Sequence, residues 1–381
     1  MKGAIGHMGT DAHPTFNAIV DALPVSTPFV APEAIERQRG RAFAARIGAN
    51  ESLFGPSPRA IEAMRAAINQ IALYGDPENT ELRHALATRE GVSQERIVIG
   101  SGIDDLLGMF VRILLNPGET AVGAYGCYPT FVYHLNGYGA HLETIPYQDY
   151  RNDLDGLAAT ARRVKARLVY LSNPDNPTGS YHPGSAVAAM LAELPADCML
   201  LLDEAYMEFA PPEAQANLPT DDPRLIRLRT FSKAYGMAGA RIGYAIVTPE
   251  VATLYHKVRL HFGVNRVAQA GALAALRDQR YVASVVRKVV AGRAEYAALA
   301  AEVEISALPS ATNFVAFETG STERAHAIVR ELAEHDIFVR SPGAGPTNLV
   351  RVTIGDSRSR QLFAVAFREV CAATAPLATK P

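Results

Sequence analysis

The sequence predicts an α/β fold: a mostly parallel central sheet flanked by helices, joined to a smaller α+β lobe. Two patterns point there. From Arg96 onward, short apolar runs alternate with turns and helical stretches, at about 96–99, 120–124, 142–145, 167–172, 198–203, 225–229 and 241–247, as in a sheet whose crossovers are helices. After about residue 250 the rhythm shifts to longer helices, near 250–260, 265–277 and 280–302, then to strands near 312–318, 337–340 and 349–354 and a helix from Ser357. Such a sheet gathers ligands at the carboxyl ends of its strands, and two lobes leave a cleft between them.

Each element has a local reason. Pro14, Pro24, Pro28 and Pro32 interrupt residues 1–45, which read as an arm or short helices. Ser57-Pro58 opens a helix to about Gln70, with serine as the cap and proline in the first turn. After the turn at Leu73 to Pro77, a second helix runs from about Thr80 and stops at Gly91. Gly100-Ser101-Gly102 is a turn before the nearly apolar helix from Ile103 to Leu115, which Asn116-Pro117-Gly118 ends. The expected division is an arm over 1–45, a large domain over 46–258 and a small domain over 259–381.

Composition narrows the function. A chain of 381 residues with 48% hydrophobic and 20% charged residues can bury a large core. Its net charge of -2 gives no electrostatic case for nucleic acid or an anionic membrane, so the expected ligand is small. Three dispersed cysteines, Cys127, Cys198 and Cys371, indicate neither a disulfide framework nor a zinc motif. Neither an apolar leader in Met1 to Thr10 nor a membrane-spanning apolar run is present, so a cytoplasmic location is expected.

Four stretches carry candidate chemistry. In Thr230-Phe231-Ser232-Lys233-Ala234-Tyr235-Gly236, one lysine sits among small and hydroxylated neighbours with Arg241 beyond. That suits an amine forming a Schiff base beside a phosphate, and equally an incidental lysine on a strand-turn-strand. Cys198 to Leu202 form an apolar strand delivering Asp203, a carboxylate that needs a cation or several donors there unless it only caps the next turn. Asn173-Pro174-Asp175-Asn176-Pro177-Thr178-Gly179 makes a rigid loop at a strand end, where Asn176 can reach a phenolic oxygen or simply form an Asn-Pro turn. The turn before Ile103 offers amides to an anion, or is a tight connection; no dinucleotide fingerprint, Walker motif or zinc helix occurs. Together these supply what pyridoxal 5'-phosphate requires: Asp203 for the ring nitrogen, Asn176 and Tyr206 for the ring oxygen, and Lys233 for the imine. Thr230, Ser232, Arg241 and the turn at 101–104, including Gly102, Ile103 and Asp104, would take the phosphate.

The constellation resembles the fold-type-I aminotransferases of class I/II, and within them is most similar to the histidinol-phosphate aminotransferases. The resemblance rests on Asn50-Glu51, Gly55-Pro56-Ser57-Pro58, Tyr74 to Pro77, Asp104 to Leu107, the loop from Asn173 to Gly179, Asp203 to Tyr206, Ser232-Lys233-Ala234 and Arg351 to Gly355. It implies a homodimer with shared active sites, in which Tyr74 reaches the phosphate of the neighbouring subunit's cofactor. It implies that Phe131 stacks on the pyridine ring, that Asn50 and Arg351 bind substrate with Arg351 on the α-carboxylate, and that Arg340 lies near a substrate phosphate. The implied reaction takes an amino-acid-like donor and a 2-oxo acid: L-histidinol phosphate and 2-oxoglutarate give imidazole-acetol phosphate and L-glutamate. Departures at His261-Phe262-Gly263, Ile103 and Ser52-Leu53-Phe54 leave open another donor, aromatic or otherwise, or a decarboxylase of the threonine-phosphate type.

Overall fold

A computed structural model describes residues 15–25 and 30–374. The arm expected over 1–45 falls partly outside them, at 1–14 and 26–29; within them it forms short helices, Ala18–Asp21 and Pro32–Arg39.

The centre is a seven-stranded sheet. Its strands are β1 (Ile97–Gly100), β2 (Thr120–Ala124), β3 (His141–Ile145), β4 (Leu168–Ser172), β5 (Met199–Asp203), β6 (Leu225–Thr230) and β7 (Gly243–Ile246). They lie in the order β1-β7-β6-β5-β4-β2-β3. Strands β2 to β6 pair in parallel, while β7 is antiparallel to both β6 and β1. The carboxyl ends of β1, β4, β5 and β6 therefore open on one edge, which brings Gly100, Ser172, Asp203 and Thr230 together.

Side chains of the central strands alternate between two cores, as a pleated strand requires. Leu200 and Leu202 pack with Val169 and Leu171 on one face, whereas Leu201 and Tyr170 join the larger cluster on the other. Apolar strands buried on both faces explain why this part of the sequence reads as continuous hydrophobic runs. Helix ends follow their local chemistry: Ser57 Oγ accepts from Ala60 N at 3.1 Å, and Gly91 ends Thr80–Glu90 in the left-handed conformation.

The C-terminal region contributes the long helix Gln279–Glu302 and an antiparallel sheet in the order Leu349–Thr353, Phe314–Glu318, Ser306–Ala307. The strand expected near 337–340 is shorter, Ile337–Phe338, and pairs in parallel with Ala45–Arg46. Residues 45–46 thus extend the C-terminal region, and the chain stays against it at Ile47, whose carbonyl accepts from Thr353 N at 2.8 Å.

A buried ion cluster braces β5 against β6. Glu204 has no exposed surface, and it accepts from Arg227 Nε at 3.0 Å and Arg229 Nε at 2.7 Å. Burial pushes its pKa up, but the two guanidiniums outweigh burial and hold it below the usual range. Glu204→Gln would leave two desolvated cations short of an anion, so we expect a loss of about 3–5 kcal/mol, read from the urea midpoint.

Candidate active site

The loops at the open edge of the sheet bring a lysine, two carboxylates and several amide or hydroxyl groups into one cleft. Asp203 ends β5 and is 4% exposed. Its Oδ2 accepts from Tyr170 Oη at 2.8 Å and its Oδ1 from Ala205 N at 3.0 Å. Burial pushes its pKa up to about 6, opposed by those two donors and by Lys233. It is a carboxylate short of a cation.

Lys233 stands on the turn between β6 and β7. Its Nζ donates to the Asn50 carbonyl at 3.1 Å and lies 5.6 Å from the centre of the Tyr206 ring. Burial first, then the Arg351 cation, lowers its pKa to about 8; Glu51 and Asp104 oppose the fall and Arg241 adds to it. The turn is held close to the loop at Gly55: Gly236 has φ +69°, and a Cβ there would come within 2.2 Å of the Gly55 carbonyl oxygen.

Tyr206 follows Asp203 and packs edge-on to Phe314, with its hydroxyl accepting from Asn50 Nδ2 at 3.0 Å. Burial pushes that phenol up to about 12. Asn176 accepts from Arg351 Nη1, and Arg351 Nη2 donates to the Gly48 carbonyl at 3.2 Å. Arg351 Nε is buried without a partner, and burial lowers the pKa of the group. The guanidinium therefore keeps a donor for an incoming acceptor.

At the neighbouring strand end, Gly102 (φ +92°) precedes helix Ile103–Leu114, whose first-turn amides have no intrahelical acceptors. Arg241, itself left-handed at φ 57°, donates to Asp104 Oδ2 at 3.1 Å across this turn. A Cβ on Gly102 would meet Arg241 Nη2 at 2.5 Å, which the arginine side chain could relieve by shifting, and the φ of +92° is what favours glycine there. Thr230 Oγ1 donates to Ser232 Oγ at 2.9 Å and accepts from Ser232 N at 3.0 Å, which fixes both hydroxyls beside Lys233.

Three further expected residues have other partners within the single chain. Phe131, expected to present a free ring face, is fully buried and stacks on Tyr170 with ring centres 4.6 Å apart. It lies on the inner side of helix Pro129–Tyr138, one layer behind the cleft. Tyr128, at the start of the same helix, donates its hydroxyl to Asp104 Oδ1 at 2.9 Å. Tyr74 is 75% exposed and stacks on Phe262 at 4.4 Å. Arg340 donates to the Val30 carbonyl at 2.6 Å, while its main chain pairs with Arg351.

Sequence reasoning missed Tyr170, Asn313 and Thr353. A tyrosine inside an apolar strand needs a partner for its hydroxyl, a signal that was available for Tyr170. Asn313 and Thr353 meet Asn50 only through pairings 263 and 303 residues apart, for which the sequence has no local sign.

The family described as aminotransferase class I and II matches residues 45–366. Histidinol-phosphate aminotransferase 1 of Dechloromonas aromatica is 37% identical over 322 residues, 84% of this chain and 87% of that protein. The crystal structure of histidinol-phosphate aminotransferase from Sinorhizobium meliloti in complex with pyridoxal-5'-phosphate superposes with a TM-score of 0.92 at 46% identity, covering 96% of this chain and all (100%) of that one. Aspartate aminotransferase from Thermus thermophilus, at 22% identity, a TM-score of 0.77 and coverage of 94% and 100%, shares the fold. On the extent of these matches, and with a buried lysine facing a buried carboxylate at the strand ends, the chain belongs to the class I and II aminotransferases.

Proposed function

We propose that the protein is a pyridoxal phosphate-dependent aminotransferase that takes L-histidinol phosphate as amino donor and 2-oxoglutarate as acceptor. The observation that carries the chemistry is the pairing of Lys233, lowered to about 8, with Asp203, raised to about 6, in one cleft. The donor set fits the cofactor: an acid lacking a cation, a cradle of amides and hydroxyls with a guanidinium, and a desolvated amine. Support for the donor comes from the relatives' names and from two arginines, Arg351 and Arg340, on neighbouring strand positions.

When bound, pyridoxal phosphate supplies the electron sink for a carbanion at the donor's Cα. Asp203 would face the ring nitrogen and favour its protonated form, and Asn176 and Tyr206 would hydrogen-bond the ring oxygen. Ser232, Thr230, Arg241 and the turn of Gly102, Ile103 and Asp104 hold the phosphate. Phe131 would stack on the pyridine ring. Lys233 would hold the cofactor, and its Nζ would serve to take up and return the proton of the donor's Cα, a task suited to an amine near its pKa at physiological pH. Arg351 grips the end of the donor or acceptor, with its idle Nε available to a carboxylate, and Asn50 closes the pocket beside Tyr206. Arg340 meets the donor's phosphate.

Arg351→Lys keeps the charge but loses the planar fork. We expect KM for 2-oxoglutarate to rise roughly tenfold to a hundredfold, with the cofactor still bound, from loss of a charge-assisted pair worth about 1.5–3 kcal/mol. Steady-state kinetics with each substrate varied checks this.

The functional unit is a homodimer with shared active sites. Tyr74 and Phe262 form an exposed stack, and Ile68, Ile71, Leu73 and Leu260 are also exposed, an apolar face that suits a second copy with Tyr74 entering the other copy's phosphate site. Light scattering should return twice the chain mass of 40.9 kDa, and Tyr74→Ala should weaken cofactor retention in the dimer. Cys127, Cys198 and Cys371 are free and buried, which accords with a cytoplasmic location. No helix among the described residues is long and apolar enough to cross a membrane. We take the large domain as 46–258 and the small one as 259–381, with residues 45–46 attached to the latter by strand pairing.

A single-turnover screen decides the substrate. L-Histidinol phosphate should convert the cofactor to its amine form, seen as loss of the aldehyde-form absorbance. Conversion only by aromatic amino acids reassigns the donor, and release of carbon dioxide from a phosphorylated amino acid points to decarboxylation.

A further inference from the structure

Asn50 joins the two halves of the cleft. It is 2% exposed, has φ 56°, and uses each of its polar groups. Its carbonyl oxygen accepts from Lys233 Nζ and from Asn313 Nδ2, both at 3.1 Å. Its amide donates to Thr353 Oγ1 at 3.0 Å, its Oδ1 accepts from that same hydroxyl at 3.2 Å, and its Nδ2 donates to Tyr206. Lys233 and Tyr206 come from loops of the large sheet. Asn313 and Thr353 come from the antiparallel sheet, where Phe314 lies opposite Thr353 and Ala316 opposite Arg351.

We propose that Asn313 is a positioning residue for Lys233, acting through the Asn50 carbonyl that both side chains share. The inference rests on the reading of Lys233 as the base. Asn313 is 2% exposed and its Oδ1 is buried without a partner, so only its donor end is engaged. A flipped amide would set two acceptors face to face, which fixes the orientation. The main-chain carbonyl of Asn313 accepts from Ile354 N at 2.8 Å, so the side chain is carried rigidly by the strand pair that also bears Arg351. A carbonyl shared between two donors is a weaker acceptor for an ammonium than one held alone, and it still fixes where Nζ stands. Substrate engaged at Arg351 is thereby linked to the lysine by a route separate from the contact between Arg351 and Asn176.

The charged and titratable groups facing Nζ are Arg351 and Arg241 on the cationic side, and Glu51, Asp104 and Asp203 on the acidic side, with the Tyr206 ring beneath. Asn313→Asp keeps the side-chain size but removes the donor to the Asn50 carbonyl, so that oxygen is left to Nζ alone with a carboxylate beyond it, and both changes favour the protonated amine.

The test uses the full chain loaded with pyridoxamine phosphate, in which Lys233 is free. Competitive acetylation followed by mass spectrometry of the Lys233 peptide reads its ionisation midpoint. Asn313→Asp should raise that midpoint by about one pH unit or more. Asn313→Ala should lower kcat about tenfold or more while KM for the donor stays within about twofold and the cofactor is retained, as expected when a base is misplaced and binding is untouched. An unchanged midpoint in folded Asn313→Asp overturns the proposal, and so does an unchanged kcat in Asn313→Ala. If Asn313→Asp does not fold, the kcat-against-KM split of Asn313→Ala decides alone. Failure of the wild-type protein to bond its cofactor through Lys233 would instead defeat the functional reading, and is read separately on the unsubstituted chain.

Discussion

Lys233→Ala should reduce transamination by roughly a thousandfold or more, because one substitution removes both the cofactor's anchor and the base that moves the Cα proton. Proton transfer by a positioned group contributes about 10²–10⁴ in rate, and a small residue leaves water as the only substitute. The fold should survive. The side chain makes one hydrogen bond, to the Asn50 carbonyl, which keeps Asn313 as a donor when the lysine is gone. A normal circular-dichroism spectrum beside lost turnover would separate chemistry from unfolding. Burial and Arg351 depress the amine to about 8, so wild-type Lys233 in the cofactor-free protein should become reactive toward acylating reagents as pH rises through that value.

Asp203→Asn should cost about 10²–10³ in kcat, the range for removing one preorganised electrostatic partner. An amide cannot hold a ring nitrogen in its protonated form, so the electron sink weakens while the phosphate contacts remain. The variant also leaves one acceptor too few. Both partners of Asp203, the Tyr170 hydroxyl and Ala205 N, donate to it, so one of the three is left unpaired at about 1–3 kcal/mol. In the cofactor-free wild type, Asp203 holds its proton up to about 6 when folded against 3.8 for the ordinary group. The folded state binds more protons between those values, so this group's contribution to stability falls as pH rises through the window. Asp203→Asn should remove that part of the pH dependence. Thermal midpoints of the cofactor-free proteins across the window, and kcat of the loaded ones, check both halves.

What the sequence disclosed follows the range of the interactions. As candidates, Asp203 was legible because it closes a short apolar strand and Asn176 because its loop follows another, whereas Lys233 follows a strand that carries Arg227 and Arg229 and was read from the small and hydroxylated residues around it. The order of strands and helices was legible for the same reason, since both cores read as continuous apolar runs. Phe131 was named from a motif position, and the periodicity adds that its ring is buried. Phe131 and Leu135 are four apart in Pro129–Tyr138 and both are buried, which marks the inner face of a helix. Asn50 could be named, but its role as a junction could not, because its partners arrive from the far end of the chain. The exposed pair Tyr74 and Phe262 gives meaning to the unusual His261-Phe262-Gly263 segment: the aromatic ring covers Tyr74, and the Gly263 carbonyl accepts from Ser101 Oγ at 2.6 Å beside the phosphate turn. Those are contacts between loops more than 150 residues apart, and no local pattern announces them.

The most direct measurement is borohydride reduction of the cofactor-loaded protein followed by peptide mass spectrometry. The account predicts one pyridoxyl adduct, on the peptide containing Lys233, and its disappearance in Lys233→Ala. An adduct on any other lysine of the wild-type chain, or none after incubation with pyridoxal phosphate, would contradict it.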